Sequence, residues 1–402
     1  MRVLLVNVNA STGSTGKIVT DIKSELESHG HECIVAYGAN TTEARAGYAR
    51  ICTENERKFN AAIARVTGVL YGGLPKPFHR LRRLIEDFKP DVVNIHCANG
   101  YILDLFSTLA YLAEKRIKTV ITNHAEFFYT GGCGHAYDCR KWLDGCKGRC
   151  EELKSYVPLI DPARITWKKF KSAFDTFDTD NVIITSVSPW VRNRAEKSAA
   201  LSHFRHRVIL NGLDTSVFRH TEPSESMLRR IGRRMPYILH VSAQFTTSST
   251  NKGGQWICRL AEMLPEQNFI VAASYIGSLA NLPSNIMVWG RTKDQQELAM
   301  LYTGASVTVI TSYRETFSMV TAESLSCGTP VVGFKAGGPE SISLHEFSCF
   351  VDYGNVDALK DEITKMLHRP LDRNKIERDA YRKYSKAVMA SEYVAVYEDL
   401  IK

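Results

Sequence analysis

No stretch of the 402-residue sequence approaches the roughly 20 consecutive apolar residues that a membrane-crossing helix needs, which excludes a bundle of spanning helices. No secretory leader is expected. Met1-Arg2-Val3-Leu4-Leu5 runs directly into a strand-like segment, so the protein is expected to stay in the cytosol. Internal repeats and low-complexity tracts are missing as well. Six of the ten cysteines (Cys33, Cys52, Cys97, Cys258, Cys327, Cys349) are scattered singly through apolar segments, which fits reduced thiols in a reducing compartment. The remaining four are grouped. A net charge of +8 suits nucleic acid, anionic lipid or phosphorylated ligands, and charge alone does not choose among them.

At this length, with 44% hydrophobic residues, two domains are the default expectation. Strand-like runs at 3–8, 32–37, 92–96, 119–122 and 182–187 alternate with helical patterns, and a second such series follows at 237–241, 269–273, 286–289, 307–311 and 330–334. Alternation of this kind predicts an α/β protein with parallel sheets.

The most informative segment is 315–340, ETFSMVTAESLSCGTPVVGFKAGGPE. It follows the apolar run Val307-Thr308-Val309-Ile310 and opens a helix predicted over 317–325, so the helix starts just past a strand's carboxyl end. In open α/β sheets that crevice receives nucleotides, with the pyrophosphate at a helix N-terminus and a carboxylate on the ribose hydroxyls. Glu323 is placed for the ribose. The N–H groups of Phe317, Ser318 and Met319 are placed for the phosphates, and Glu315 for whatever hangs beyond them.

Glu315, Glu323, Gly328, Pro330, Val331 and Val332 stand in the order of the signature of the group 1 glycosyltransferases, and the segment resembles that of glycosyltransferase family 4. The resemblance implies the GT-B architecture, two Rossmann-like domains with parallel sheets facing across a cleft. Domains are expected at 1–195, with a cysteine-rich insertion at 131–150, and at 205–383, with a last helix at 384–402 crossing back to the first domain. The stretch 207–218 resembles the element that begins the second domain in this family.

After the first strand comes the small-residue loop Asn9-Ala10-Ser11-Thr12-Gly13-Ser14-Thr15-Gly16-Lys17, ahead of a helix predicted over 18–29. Such a loop brings backbone N–H groups close to a ligand. It is not a P-loop, because Ser11 stands where that motif needs its first glycine and Ile18 follows the lysine. The resemblance makes Gly13 and Gly16 part of a turn lining the cleft. It makes His124, after the 119–122 run, a contact of the donor sugar or a neighbour of the reacting centre. Lys252 falls where the family binds the donor diphosphate, and a lysine point charge suits that group. The family's partner arginine has no counterpart in Val241-Ser242-Ala243-Gln244-Phe245, leaving Arg291 or Lys17 as substitutes.

Thr130-Gly131-Gly132-Cys133, Cys139, Trp142, Cys146 and Cys150 resemble the insertion of a subgroup that acts on colanic acid and other surface polysaccharides. Four sulfurs so close in sequence suit a structural zinc, with His135 as a spare ligand, or disulfides, with free thiols as the remaining alternative. No cofactor is expected for the chemistry itself. Two basic stretches, 77–84 and 167–171, interleave aromatics with cations as interfacial helices do, or are solvated faces.

The expected function is a retaining, metal-independent transfer of a sugar from a nucleoside-diphosphate sugar, UDP by its frequency in the family. The acceptor would be a glycan or lipid-linked saccharide in bacterial surface-polysaccharide synthesis, reached from the cytoplasm with peripheral contact to anionic membrane. Alternatives are a nucleotide-sugar epimerase of the same fold, and a zinc-containing nucleic-acid-binding protein. The second leaves the glutamate pair and both sheets unexplained, so no nucleic-acid partner is expected.

Overall fold

The computed structural model describes residues 1–39, 45–73, 75–152, 161–248 and 251–402. They divide into two compact units, Met1–Leu210 with Met389–Lys402, and Asn211–Val388.

The first unit is built on seven strands, β1 (Arg2–Asn9), β2 (Glu32–Ala39), β3 (Tyr48–Arg50), β4 (Val92–Ile95), β5 (Thr119–Asn123), β6 (Val182–Ser186) and β7 (Arg205–Val208), in the order β3-β2-β1-β4-β5-β6-β7. Every pairing is parallel. Helices α1 (Gly13–Ser28), α2 (Glu54–Thr67), α3 (Pro75–Phe88), α4 (Leu105–Glu114), α5 (Ala163–Phe174) and α6 (Pro189–Ala195) connect them. Covered on both faces, the central strands are continuous apolar runs, with Val3, Leu4, Leu5 and Val6 all fully buried.

The second unit holds β8 (Tyr237–Phe245), β9 (Asn268–Ile276), β10 (Ile286–Gly290), β11 (Ala305–Ile310), β12 (Val331–Phe334) and β13 (Ser348–Val351), again all parallel, in the order β10-β9-β8-β11-β12-β13. Its helices are α7 (Glu225–Ile231), α8 (Gly254–Met263), α9 (Gln295–Gly304), α10 (Met319–Ser326), α11 (Gly338–Ile342), α12 (Val356–His368) and α13 (Arg373–Tyr384). The last helix, α14 (Lys386–Ile401), lays Met389, Tyr393, Val396, Tyr397 and Leu400 into the core of the first unit beside Val3, Val19 and Ile22. Asn94 of β4 donates to the Tyr397 hydroxyl at 2.7 Å, which satisfies a buried amide that strand pairing leaves over.

Three differences from the sequence expectations have physical causes. Helix α1 begins at Gly13, not at 18, because Thr12 is extended as its N-cap and the small residues after it fit the first turn. Residues 205–208 are not the start of the second unit but the edge strand β7 of the first sheet, so the boundary falls at Asn211. Arg205 and Arg207 stay exposed along that edge, and the segment carries no apolar run to betray a strand. Helix α10 begins at Met319, and Phe317 and Ser318 belong to the loop before it.

Candidate active site

Strand β11 ends at Ile310 in the middle of the second sheet, and the loop beyond it carries Glu315. Backbone bonds hold the loop in place. Glu315 N donates to Ala336 O at 3.0 Å, and Gly338 N donates to Glu315 O at 2.8 Å. The carboxylate of Glu340 accepts from the N–H groups of Ala336 and Gly337 at 2.9 and 2.8 Å, which fixes the glycine turn from below. Glycine is required here, since a Cβ at Gly338 would lie 2.6 Å from the backbone N and O of Phe317.

Lys252 reaches the same loop from the other side. Its carbonyl accepts from Thr311 Oγ1 at 3.2 Å, and Asn251 O accepts from Tyr313 N at 2.9 Å. Gly253 follows at φ +73°, where a Cβ would meet Thr311 O at 2.1 Å. This strap brings Lys252 Nζ to 2.6 Å from Glu315 Oε1. Two residues 63 positions apart in sequence thus form one polar centre at the carboxyl end of β11.

Ser318 caps α10 with its hydroxyl, which accepts from Thr321 N at 3.3 Å, and does so at φ 87°, a backbone region costly for any residue but glycine. Strain of this kind persists where surrounding structure over-determines it, and functional sites are where it collects. Glu323 lies one turn into the helix. The phenol of Tyr302, fully buried on α9, donates to Glu323 Oε2 at 2.9 Å. Burial and the adjacent carboxylate push that phenol well above the usual tyrosine range, so it remains a donor at any working pH. Tyr302 was not legible as a site residue, because nothing in its neighbourhood distinguishes it from a core aromatic. Arg314 was missed too, although it adjoins Glu315; its guanidinium lies over the Tyr313 ring.

Arg291 does not join this centre. It is exposed at the carboxyl end of β10, the edge strand, and β9 and β8 separate it from β11, about 14 Å across at the usual strand spacing.

In the first unit, Gly13 (φ +73°) and Gly16 follow β1, and His124 follows β5. A Cβ on Gly16 would lie 2.9 Å from the Ser11 carbonyl carbon, so its bareness is needed for the turn itself. His96, which follows β4 between these strands, places Nδ1 at 3.0 Å from Nε2 of His124 with the rings stacked. Burial lowers His96 well below the ordinary histidine range and holds His124 at about 4, so both are neutral and one ring nitrogen must donate to the other.

His240 of β8 is also held at about 4 by burial, with Nδ1–H donating to Val309 O at 3.1 Å. A histidine depressed in the folded state gives up stability as pH falls below its unfolded value of about 6.5, because the unfolded chain takes up the proton first. Urea titrations should therefore show a loss between pH 7 and pH 5, amounting to about 2 kcal/mol for His240 alone. A flat profile over that interval would show that these rings are not buried as described.

All four cysteines of the cysteine block are free thiols, and among the described residues no three Cys, His, Asp or Glu groups gather closely enough to hold a metal ion. Burial pushes the Cys146 thiol up to about 12 and raises that of Cys133 as well. Aromatic packing holds the block instead of bridges. Trp142 lies edge-on to Tyr129, its indole donates to Cys139 O at 2.9 Å, and Trp167 donates to Trp142 O at 2.8 Å.

The aromatics of the two basic stretches likewise face protein. Phe170 is fully buried, Phe78 packs on Tyr111, and Trp167 is tied to Trp142. No helix among the described residues is long and apolar enough to cross a membrane.

Comparison with known proteins places this geometry. Residues 15–217, half of the chain, match the family model described as Glycosyltransferase Family 4, and residues 276–383 match that of Glycosyl transferases group 1. The chain belongs to glycosyltransferase family 4. A curated relative, the D-inositol 3-phosphate glycosyltransferase of Mycolicibacterium paratuberculosis, is 23% identical over 257 residues, 57% of this chain and 58% of that protein. The match thus spans little more than half the length of that relative. Among solved structures, sucrose-phosphate synthase from Thermosynechococcus elongatus superposes with a TM-score of 0.71 at 15% identity, covering 99% of this chain and 98% of that one. HepE from Anabaena, solved with UDP and glucose, gives 0.63 at 15% identity with 99% of each chain covered. These likenesses establish the GT-B fold, two Rossmann-like α/β domains with parallel sheets.

Proposed function

We propose that this protein transfers a sugar from a UDP-sugar to a hydroxyl acceptor with retention at the anomeric carbon. The observation that carries the reading is the Lys252–Glu315 pair on the loop between β11 and α10, with Glu323 one turn into α10, at the end of a parallel sheet where nucleotides bind. Glu323 accepts from the ribose hydroxyls while Tyr302 steadies its other oxygen. Lys252 and the backbone N–H groups of residues 317–319 face the diphosphate, where negative charge grows as the bond to the anomeric carbon breaks. The new bond forms from the acceptor oxygen on the same face, and the acceptor proton leaves with the departing diphosphate oxygen. No side chain is placed as a covalent nucleophile, and Glu315 instead orients the sugar. His124 keeps the part given by the resemblance, contact with the donor sugar. The choice of UDP draws support from the Anabaena protein, solved with UDP and with UDP-glucose. Surface-polysaccharide synthesis as the setting rests on the cysteine-block resemblance.

Glu323→Ala should weaken UDP binding by about tenfold to a hundredfold, the worth of a hydrogen bond to a charged group. Tyr302→Phe should weaken it less, because the carboxylate remains but loses its fixed orientation. Glu315→Ala should leave binding near normal and lower turnover. Titration calorimetry with UDP reads the first two, and equal affinity in wild type and Glu323→Ala defeats the ribose assignment. Proton NMR of the first-formed product tests retention.

A further inference from the structure

We infer that His96 is a positioning residue: its Nδ1–H donates to Nε2 of His124, which leaves the proton of His124 on Nδ1 and makes that ring a hydrogen-bond donor toward the sugar. This rests on the proposed contact of His124 with the donor sugar, and adds which nitrogen carries the proton and what puts it there.

The two rings are unequally placed. His96, directly after β4, is fully buried, and its backbone N–H donates to Val6 O at 2.9 Å. Its ring packs on that of Tyr393 on α14, with 5.5 Å between the centroids. His124, directly after β5, is only half-buried. Strand β5 is fixed just before it, where Thr122 Oγ1 lies 3.0 Å from Asn94 Oδ1 and 2.8 Å from Thr185 Oγ1. His124 is therefore the member of the pair that can touch a ligand, and His96 can act only through it.

The direction of the bond between them follows from the far nitrogen of His96. Two neutral imidazoles with Nδ1 of one 3.0 Å from Nε2 of the other hold a single hydrogen between them, so only one of the two nitrogens is the donor. If His124 donated, the proton of His96 would stand on Nε2, which is buried with no hydrogen-bonding partner among the described residues. An orphaned buried N–H is rare and costly, whereas an under-used acceptor is met more often. His96 therefore keeps its proton on Nδ1 and donates, and Nε2 of His124 accepts. The hydrogen bond made by one ring nitrogen decides what the other presents, so Nδ1 of His124 carries an N–H. A histidine left alone in water favours the opposite form, with the proton on Nε2. The pair thus makes His124 a donor suited to a sugar oxygen and withdraws its Nε2 from service as a base.

NMR of protein labelled with 15N-histidine reads the tautomer in the wild type without any ligand, because protonated and bare ring nitrogens resonate far apart. The His124 signals are those missing from His124→Phe. They are expected to show a bare Nε2 and a protonated Nδ1, and to move toward the opposite form in His96→Leu. The rate of UDP release from UDP-glucose should fall about tenfold in His96→Leu, whose melting temperature confirms folding, while affinity for UDP, which lacks the sugar, stays unchanged. His96→Asn, whose amide N–H can stand in for Nδ1–H, should recover most of the rate. Adding His96→Leu to His124→Phe should cost nothing further, since His96 acts through His124 alone. A proton on Nε2 of His124 in the wild type, a wild-type rate in His96→Leu beside an impaired His124→Phe, or additive losses in the double variant each overturn the inference. A wild-type rate in His124→Phe defeats the sugar contact itself, and the positioning role falls with it even where the tautomer stands.

Discussion

Replacing Lys252 with alanine is expected to lower kcat by a factor on the order of 10² to 10³, the cost of removing one preorganised donor from a site of developing negative charge. The geometry makes the effect fall on turnover more than on binding. Lys252 Nζ lies 2.6 Å from Glu315 Oε1, so before the donor arrives the ammonium is neutralised by a carboxylate. Charge that appears on the diphosphate only as the glycosidic bond breaks then gains more from the lysine than the ground state does, and that difference raises kcat. Removing Glu315 alone should leave UDP binding near normal while turnover falls. Because the two groups touch, the double variant should lose less than the product of the single losses. Lys252→Arg should recover little, since a planar fork does not fill the place of a compact point charge strapped in by Gly253. Steady-state kinetics on the four proteins read all of this. An unchanged kcat in Lys252→Ala would remove the lysine from the mechanism.

The central strands and the Glu315 loop were legible in the sequence, and three of the four sheet edges were not. Ten strands announced themselves as apolar runs, nine of them central strands buried on both faces and one the edge strand β10. The three that did not, β3, β7 and β13, are short edge strands of three or four residues, too brief to show a pattern. Glu315 and Glu323 could be placed because their spacing, the preceding apolar run and the Gly-Thr-Pro-Val-Val strand all lie within one stretch of chain. Lys252 joined them only through the resemblance, since its approach depends on a strap to Thr311 that no local pattern encodes. Tyr302 and His96 occupy fully buried positions, where an aromatic or a histidine is ordinarily core. The cysteine block left its state open, since four sulfurs allow zinc, disulfides or free thiols, and the edge-on contact of Trp142 with Tyr129 and the charge beneath it have no local pattern.

That charge is a buried ion pair, and Glu126→Ala is expected to destabilise the first unit by about 3–5 kcal/mol, the usual result of stranding one partner of such a pair. Glu126 is fully buried, and its oxygens accept from Arg194 Nε at 2.6 Å, the Tyr129 hydroxyl at 3.1 Å and the Ala136 N–H at 2.7 Å. The backbone joins in, with Glu126 N donating to Gly134 O at 2.9 Å. Arg194 in turn lies between the faces of Trp142 and Trp190, at 4.9 and 4.8 Å from the ring centroids. One carboxylate therefore fastens residues 127–142 to α6. Truncation to alanine leaves the largely buried guanidinium, its side chain 19% exposed, with the two indoles and limited water for compensation, and cation–π attraction of about 2 kcal/mol does not replace the lost carboxylate. Glu126→Gln keeps the shape and the bond to Ala136, so its loss should be smaller, while Arg194→Ala should strand the carboxylate and match Glu126→Ala. Urea unfolding ranks the three. Amide exchange locates the damage, with the largest rise in rate expected at 130–146, since the fastening is local. Equal exchange in wild type and Glu126→Ala across that segment would mean that the aromatic packing holds the block unaided.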